Sequence, residues 1–300
     1  MYNIFNYKLA WRNNMKIAVS SYSYGSYAYD DKLGILGAMD HAKSLGFSGI
    51  EIDGNEYTTN KDIVFKIRNH SERIGLPVIG LDVGANFTKD DCRAFAEEIE
   101  LVKKHVDIAH DLGAPIMRHD VSYGGFSENS GITFESCLPL MADCCKEVAD
   151  YAAKRGVKTM FENHGFFIQH HERVKKLIEA ADHENFGYLM DIGNYLCADD
   201  DPITAVKSLI KYADHVHIKD FHYSSKENAP EGNGWFKTLN GNYLKGAVAG
   251  EGCVNVSEII KILNDSGYTK YLTLEFEGTE DNLIGIESGF KFISSVIERI

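Results

Sequence analysis

Four short apolar runs in the second half of the chain each end in a residue type that binds metals. They are residues 159–165 (TMFENHG), 188–194 (YLMDIGN), 215–220 (HVHIKD) and 271–277 (YLTLEFE). The ligand types are Glu162, Asp191, His217 and Glu275, separated by 29, 26 and 58 positions. A strand with its crossover helix takes about 30 residues. The first two gaps therefore match one strand–helix unit each, and the third matches one unit plus a long insertion. Strands that alternate with helices build a parallel sheet. If that sheet closes, the C-terminal strand ends face one shared mouth.

The same rhythm starts earlier. Residues 16–19, 49–53, 77–81 and 115–118 read as strands, each followed by a helical pattern. In the third helix Phe95, Ile99, Val102, Val106, Ala109 and Leu112 recur at helical spacing and form one apolar face. Gly46, Gly75, Gly113 and Gly156 follow the first four helical patterns and read as their stops. With the four ligand-bearing runs this makes eight strand–helix units, and the expected fold is a single α/β domain, a (β/α)8 (TIM) barrel, over residues 15–300. A doubly wound open sheet is disfavoured, because no Gly-x-Gly-x-x-Gly follows the first strand. Residues 1–14 read as an N-terminal extension without the apolar core of a signal peptide. Residues 223–255, polar and Gly-rich, exceed an ordinary connection and are expected to form a lid over the mouth.

Composition narrows the function. A net charge of −13 excludes a nucleic-acid partner, which needs a basic surface. No apolar run reaches the roughly 20 residues needed to span a bilayer, so no membrane partner is expected. The six cysteines include no Cys-x-x-Cys pair and read as reduced thiols of a cytoplasmic protein. A small-molecule substrate fits the acidic chain, and the sequence leaves room for a homo-oligomer.

Buried charges need partners. One divalent cation shared by Glu162, Asp191, His217 and Glu275 would supply them, with Mn²⁺ the first choice and Mg²⁺, Co²⁺ or Zn²⁺ as alternatives. Other polar residues at strand ends are candidates for substrate. Glu51 ends the second strand and reads as a polar wall of the site. His164, Asn194 and Lys219 follow the ligand types closely and are placed to reach substrate oxygens. His119 ends the fourth strand and is the candidate extra acid or base.

These segments, with Gly49-Ile-Glu51 and Gly250-Glu-Gly252, make the chain resemble the xylose-isomerase-like barrel superfamily over about residues 16–298. That group includes sugar isomerases and epimerases. The resemblance implies that Glu162, Asp191, His217 and Glu275 hold one divalent metal and that Glu162 and Glu275 are the acid–base pair. Asn194 stands where ketose 3-epimerases usually carry a histidine. The family's DNA-repair branch is excluded, since it needs further histidine ligands and a basic groove, and His70 lies in a helical pattern.

The resulting expectation is a metal-dependent sugar isomerase or epimerase. It would act through an enediolate after proton abstraction next to the carbonyl of a ketose or keto-sugar. The alternative is a lyase that eliminates a β-substituent from a keto-sugar, 3-keto-glycoside or inosose, with His119 as the additional acid or base. A noncatalytic carbohydrate-binding barrel is less favoured, because binding alone needs no metal.

Overall fold

A computed structural model describes residues 15–29, 33–54, 60–88, 92–123 and 132–300; the expected extension 1–14 lies outside them. The barrel strands are β1 (Lys16–Ser20), β2 (Ile50–Asp53), β3 (Val78–Val83), β4 (Ile116–His119), β5 (Lys158–Glu162), β6 (Phe186–Asp191), β7 (Ala213–Ile218) and β11 (Tyr271–Leu274). All pair in parallel, and β1 closes the ring by bonding to both β2 and β11. The strands read as apolar runs because they are covered on both faces. In β3 all six residues are buried.

The helices form the outer layer. In helix Cys92–Leu112 the residues Val102, Val106, Ala109 and Leu112 are buried. Each buried Val or Leu contributes roughly 1.5–3 kcal/mol. The expected stops Gly46 and Gly75 adopt positive φ of 99° and 64°, a conformation that costs glycine nothing. Asp201 caps helix Pro202–Leu209 through Thr204 N, with Pro202 in the first turn.

The stretch 223–255, expected as an irregular loop, carries regular structure. Strand β8 (Asp220–Ser224) pairs antiparallel with β10 (Tyr243–Ala247), which also pairs with β9 (Phe236–Lys237). Side chains fix this small sheet at both ends. Asp199 accepts bonds from Thr238 Oγ1 (2.8 Å), Asn242 Nδ2 (2.7 Å) and Asn240 N (2.7 Å). Asp220 accepts backbone N–H bonds from Phe221, Gly250, Gly252 and Val254. Gly252 has to be glycine here, because a Cβ would fall 2.2 Å from Asp220 Oδ1. Among the described residues no helix is long and apolar enough to cross a membrane.

Candidate active site

Strand register brings the ligand types together. Asp191 at the end of β6 lies directly beside His217 of β7. Glu162 ends β5, next to β6, and Glu275 follows β11, next to β7. Glu162, Asp191, His217 and Glu275 are all buried, and each offers a ligand atom within 4.8 Å of the others.

Each residue is held by neighbours. Asn194 Nδ2 donates to Glu162 Oε1 at 2.8 Å, and Arg118 Nη2 lies 2.6 Å from Glu162 Oε2. Asp191 Oδ1 accepts the Gly193 and Asn194 N–H groups, both at 2.8 Å. Asn163 is bonded to both the N–H and the C=O of Asp191, which locks the strand end. His217 Nε2 is paired with Glu51 Oε2 at 2.7 Å, so Nδ1 is the nitrogen directed at Glu275, 3.5 Å away. Lys219 Nζ sits among the carboxylates, 2.6 Å from Glu275, 3.3 Å from Glu277 and 3.4 Å from Asp191.

The electrostatics follow from this crowding. Burial, reinforced by Glu162 and Glu275, raises the Asp191 carboxyl to about 7 in spite of Lys219. Burial also opposes the charge of Glu275, yet Lys219 and His217 hold that carboxyl well below its ordinary range.

The donor set fits a divalent cation. Glu162 Oε2, Asp191 Oδ2, His217 Nδ1 and Glu275 Oε2 are buried and make no well-formed hydrogen bond. One such atom stands on each of the four candidate ligands. Arg118 and Lys219 lie 2.6 Å from two of them, Glu162 Oε2 and Glu275 Oε2, and a shared divalent cation would be coordinated by all four. Three carboxylates and an imidazole suit Mn²⁺, Mg²⁺, Co²⁺ or Zn²⁺.

Above these atoms a cavity of about 180 Å³ opens at the barrel mouth. His164 and Lys219 line it, as do Glu162 and Glu275. Asn194 is buried beside Glu162 and Lys219. His164 Nδ1 lies 2.9 Å from Asp120 Oδ1. Burial alone would lower the His164 pKa, but Asp120 outweighs it and raises the group to about 8.

Two expectations are corrected. Glu51 is not a wall of the cavity. It is fully buried below it, where its carboxylate holds His215 and His217 and accepts from Thr273 Oγ1 at 2.6 Å. An anchored carboxylate behind a ligand histidine fixes its tautomer and raises its basicity. Glu51→Gln is therefore expected to weaken metal binding roughly 10–100-fold in a metal titration, with the barrel still folded by circular dichroism.

His119 does not line the cavity either. Its ring is fully buried beside Phe87 and Phe186, and burial lowers its pKa to about 4. Side chains alternate along a strand, so the same twist that hides His119 turns Arg118 into the cavity. His119→Phe is expected to change turnover less than about threefold, because only a packing group is exchanged; a loss beyond about 100-fold would return His119 to the chemistry. Arg118, Asp120, Asp82, Tyr123 and Glu277 line the cavity and were not assigned roles from sequence. Parity along β4 would have found Arg118 and Asp120 together.

Inosose dehydratase 2 of Bacillus cereus (strain ZK / E33L) is 25% identical over 245 residues, 77% of this chain and 78% of that protein. Among solved structures, the IOLI protein with a bound zinc atom matches with a TM-score of 0.74 and 17% identity over 95% of this chain and 99% of that one. The 3-keto-D-glucoside 4-epimerase YcjR from E. coli matches with a TM-score of 0.71 and 17% identity, covering 94% and 99%. At such identities the structures establish the fold alone. The family model described as xylose isomerase-like TIM barrel matches residues 39–296, and with the closed eight-stranded barrel this places the chain in the xylose isomerase-like TIM barrel family.

Proposed function

We propose that the protein is a metal-dependent carbon–oxygen lyase acting on a keto-sugar or keto-cyclitol. It removes the proton next to the carbonyl and expels the oxygen substituent on the following carbon. One observation carries this reading: the cavity holds an acid apart from the carboxylates, His164, whose Nδ1 lies 2.9 Å from Asp120 Oδ1. Glu162 and Glu275 are alike in being ion-paired, Glu162 with Arg118 and Glu275 with Lys219, both at 2.6 Å. Epimerisation at one carbon asks one residue to remove a proton from one face and a second to deliver a proton to the other. Elimination asks for one base and one acid. Glu275 is the base and His164, oriented by Asp120, is the acid.

A bound divalent ion, Mn²⁺ by preference, would supply Lewis-acid polarisation of the substrate carbonyl. The chain's own groups do the rest. Glu275 accepts the proton of the C–H bond. The C–O bond on the next carbon breaks, its electron pair leaves with oxygen, and His164 protonates that oxygen. An unsaturated carbonyl compound remains. Arg118 and Lys219 hold Glu162 and Glu275 in place. The curated relatives named inosose dehydratases support an elimination.

The isomerase or epimerase reading keeps one observation in its favour, the convergence of Glu162 and Glu275 on the same centre. A panel of inososes and keto-sugars, offered with each of the four metals in deuterated water, separates the two. Elimination produces the ultraviolet absorption of a conjugated carbonyl. Deuterium in a recovered epimer, without that absorption, would overturn the lyase.

A further inference from the structure

Away from the metal-ligand set of the barrel mouth, His170, His171 and Asp200 stand together, each offering a ligand atom within 4.8 Å of the others. Two segments 29 positions apart supply them. His170 caps helix His171–Ala181 and His171 opens it, while Asp200 lies between the turn Asn194–Ala198 and helix Pro202–Leu209. Asp200 is buried, His171 is half-buried, and the His170 side chain is 39% exposed.

The arrangement is unusual for neighbours in sequence. Successive side chains of a helix diverge by about 100°, yet the two imidazoles stack with centroids 4.7 Å apart and planes at 23°. Both face one carboxylate. His171 Nδ1 lies 2.7 Å from Asp200 Oδ2, and His170 Nε2 lies 3.9 Å from Asp200 Oδ1. Donor atoms around a tetrahedral zinc, with bonds of about 2.0 Å, stand roughly 3.3 Å apart. The two separations bracket that value, and changes of about 0.6 Å in each would reach it. One bond is given up. His170 Nδ1 accepts the Glu172 N–H at a long 3.3 Å. A ring that coordinates through Nε2 carries its hydrogen on Nδ1, so this cap is released. Asp200 still accepts the His171 N–H at 2.9 Å and holds the helix start. Its buried charge offsets the positive end of the helix dipole, which alone would repel a cation.

We infer that His170, His171 and Asp200 bind a second divalent ion, Zn²⁺ by preference, which clamps the rim of the mouth. Two imidazoles and one carboxylate select a borderline ion and are poor ligands for Mg²⁺, which prefers oxygen. The residue before each ligand segment fastens part of the rim. Gln169 Oε1 accepts the Phe166 N–H at 2.5 Å. Asp199 holds Thr238 and Asn242, beside strands β9 and β10, at 2.8 and 2.7 Å. Gln169, Phe166 and Phe236 line a cavity of about 140 Å³ that shares His164, Lys219 and Glu277 with the first. An ion shared by His170, His171 and Asp200 joins the two segments and thereby both walls of that cavity. Water completes its shell from the exposed side of His170. The inference does not depend on the reaction proposed above.

The test titrates the metal-stripped protein by calorimetry. The wild type is expected to take two Zn²⁺ per chain but one Mg²⁺. The double variant His170→Asn, His171→Gln should take one Zn²⁺; asparagine is itself a favoured helix cap, and circular dichroism checks the fold. Asp200→Asn keeps an acceptor for the His171 N–H and serves if the double variant does not fold; it should weaken the second Zn²⁺ by at least about tenfold. Asp191→Asn should weaken the barrel centre and leave the second Zn²⁺ within about twofold of its wild-type Kd. Proteolysis of the loop 226–234, which is mostly exposed, reads the rim. The wild type should be cut about threefold more slowly with Zn²⁺ than with Mg²⁺, and the double variant equally with both. One Zn²⁺ in the wild type, a second Zn²⁺ that persists unchanged in the variants, or a second Mg²⁺ would overturn the site. Equal cleavage of the wild type under both ions would overturn the clamp.

Discussion

Removing divalent metal with a chelator is expected to abolish turnover while the far-ultraviolet circular dichroism of the barrel stays unchanged. The core does not depend on the metal, since the eight strands close through their own backbone pairs. The mouth is different. Four buried donor atoms, one on each of Glu162, Asp191, His217 and Glu275, make no well-formed hydrogen bond. Without metal the nearby positive charges are those of Lys219 and Arg118, at 2.6 Å from Glu275 and Glu162. Such cations balance charge without satisfying every orphaned atom. Adding Mn²⁺ at a concentration near 100 times its Kd should therefore raise Tm by roughly 4 °C, the equivalent of about 2.7 kcal/mol for a chain of this size. Asp191→Asn keeps the size of the side chain and removes its charge. It should lower the affinity by at least about tenfold and so, at the same Mn²⁺ concentration, cut the Tm shift to roughly half. Activity that survives the chelator, with no Tm response to Mn²⁺, Mg²⁺, Co²⁺ or Zn²⁺, would sink the metal centre.

His164→Asn is expected to lower elimination by roughly 10²–10⁴-fold with metal affinity changed less than about threefold. The imidazole lines the cavity, while its Nδ1 is held 2.9 Å from Asp120 Oδ1. That leaves Nε2 as the nitrogen able to protonate a leaving oxygen. Asparagine keeps a hydrogen-bonding group near Asp120 and loses the acid. The metal donors lie elsewhere, on Glu162, Asp191, His217 and Glu275. An epimerase working with its two glutamates alone would lose less than about tenfold from the same change. Turnover and metal content measured on one preparation therefore separate the two reactions, and a small loss with full metal occupancy would favour the epimerase.

Much of the architecture was legible before any coordinates. Parallel strands covered on both faces must be apolar along their whole length, so they stand out between helices that end at glycines such as Gly46 and Gly75. Strand ends in such a barrel are equivalent positions. For that reason one ligand type per unit, from Glu162 to Glu275, was enough to gather the candidate centre.

Which side of a strand a residue takes was decided only by the tertiary structure. A shift of one position exchanges the interior for the helix layer. His119 and Arg118 are neighbours in sequence, yet one is packed between aromatic rings and the other clamps Glu162. Depth was equally hidden. Glu51 lies below His217 rather than beside the substrate, next to a register shift between Ile50 and Glu51 that no local pattern announces. The ties of Asp199 to Thr238 beside the small sheet β8–β10 and of Asp220 to Gly250 join residues 30 or more positions apart. Phe166 of one loop and Phe236 of that sheet line one cavity together with Lys219 and Glu277. Periodicity reports the environment of a residue along its own element, and these features depend on distances between elements, which only the closed barrel sets.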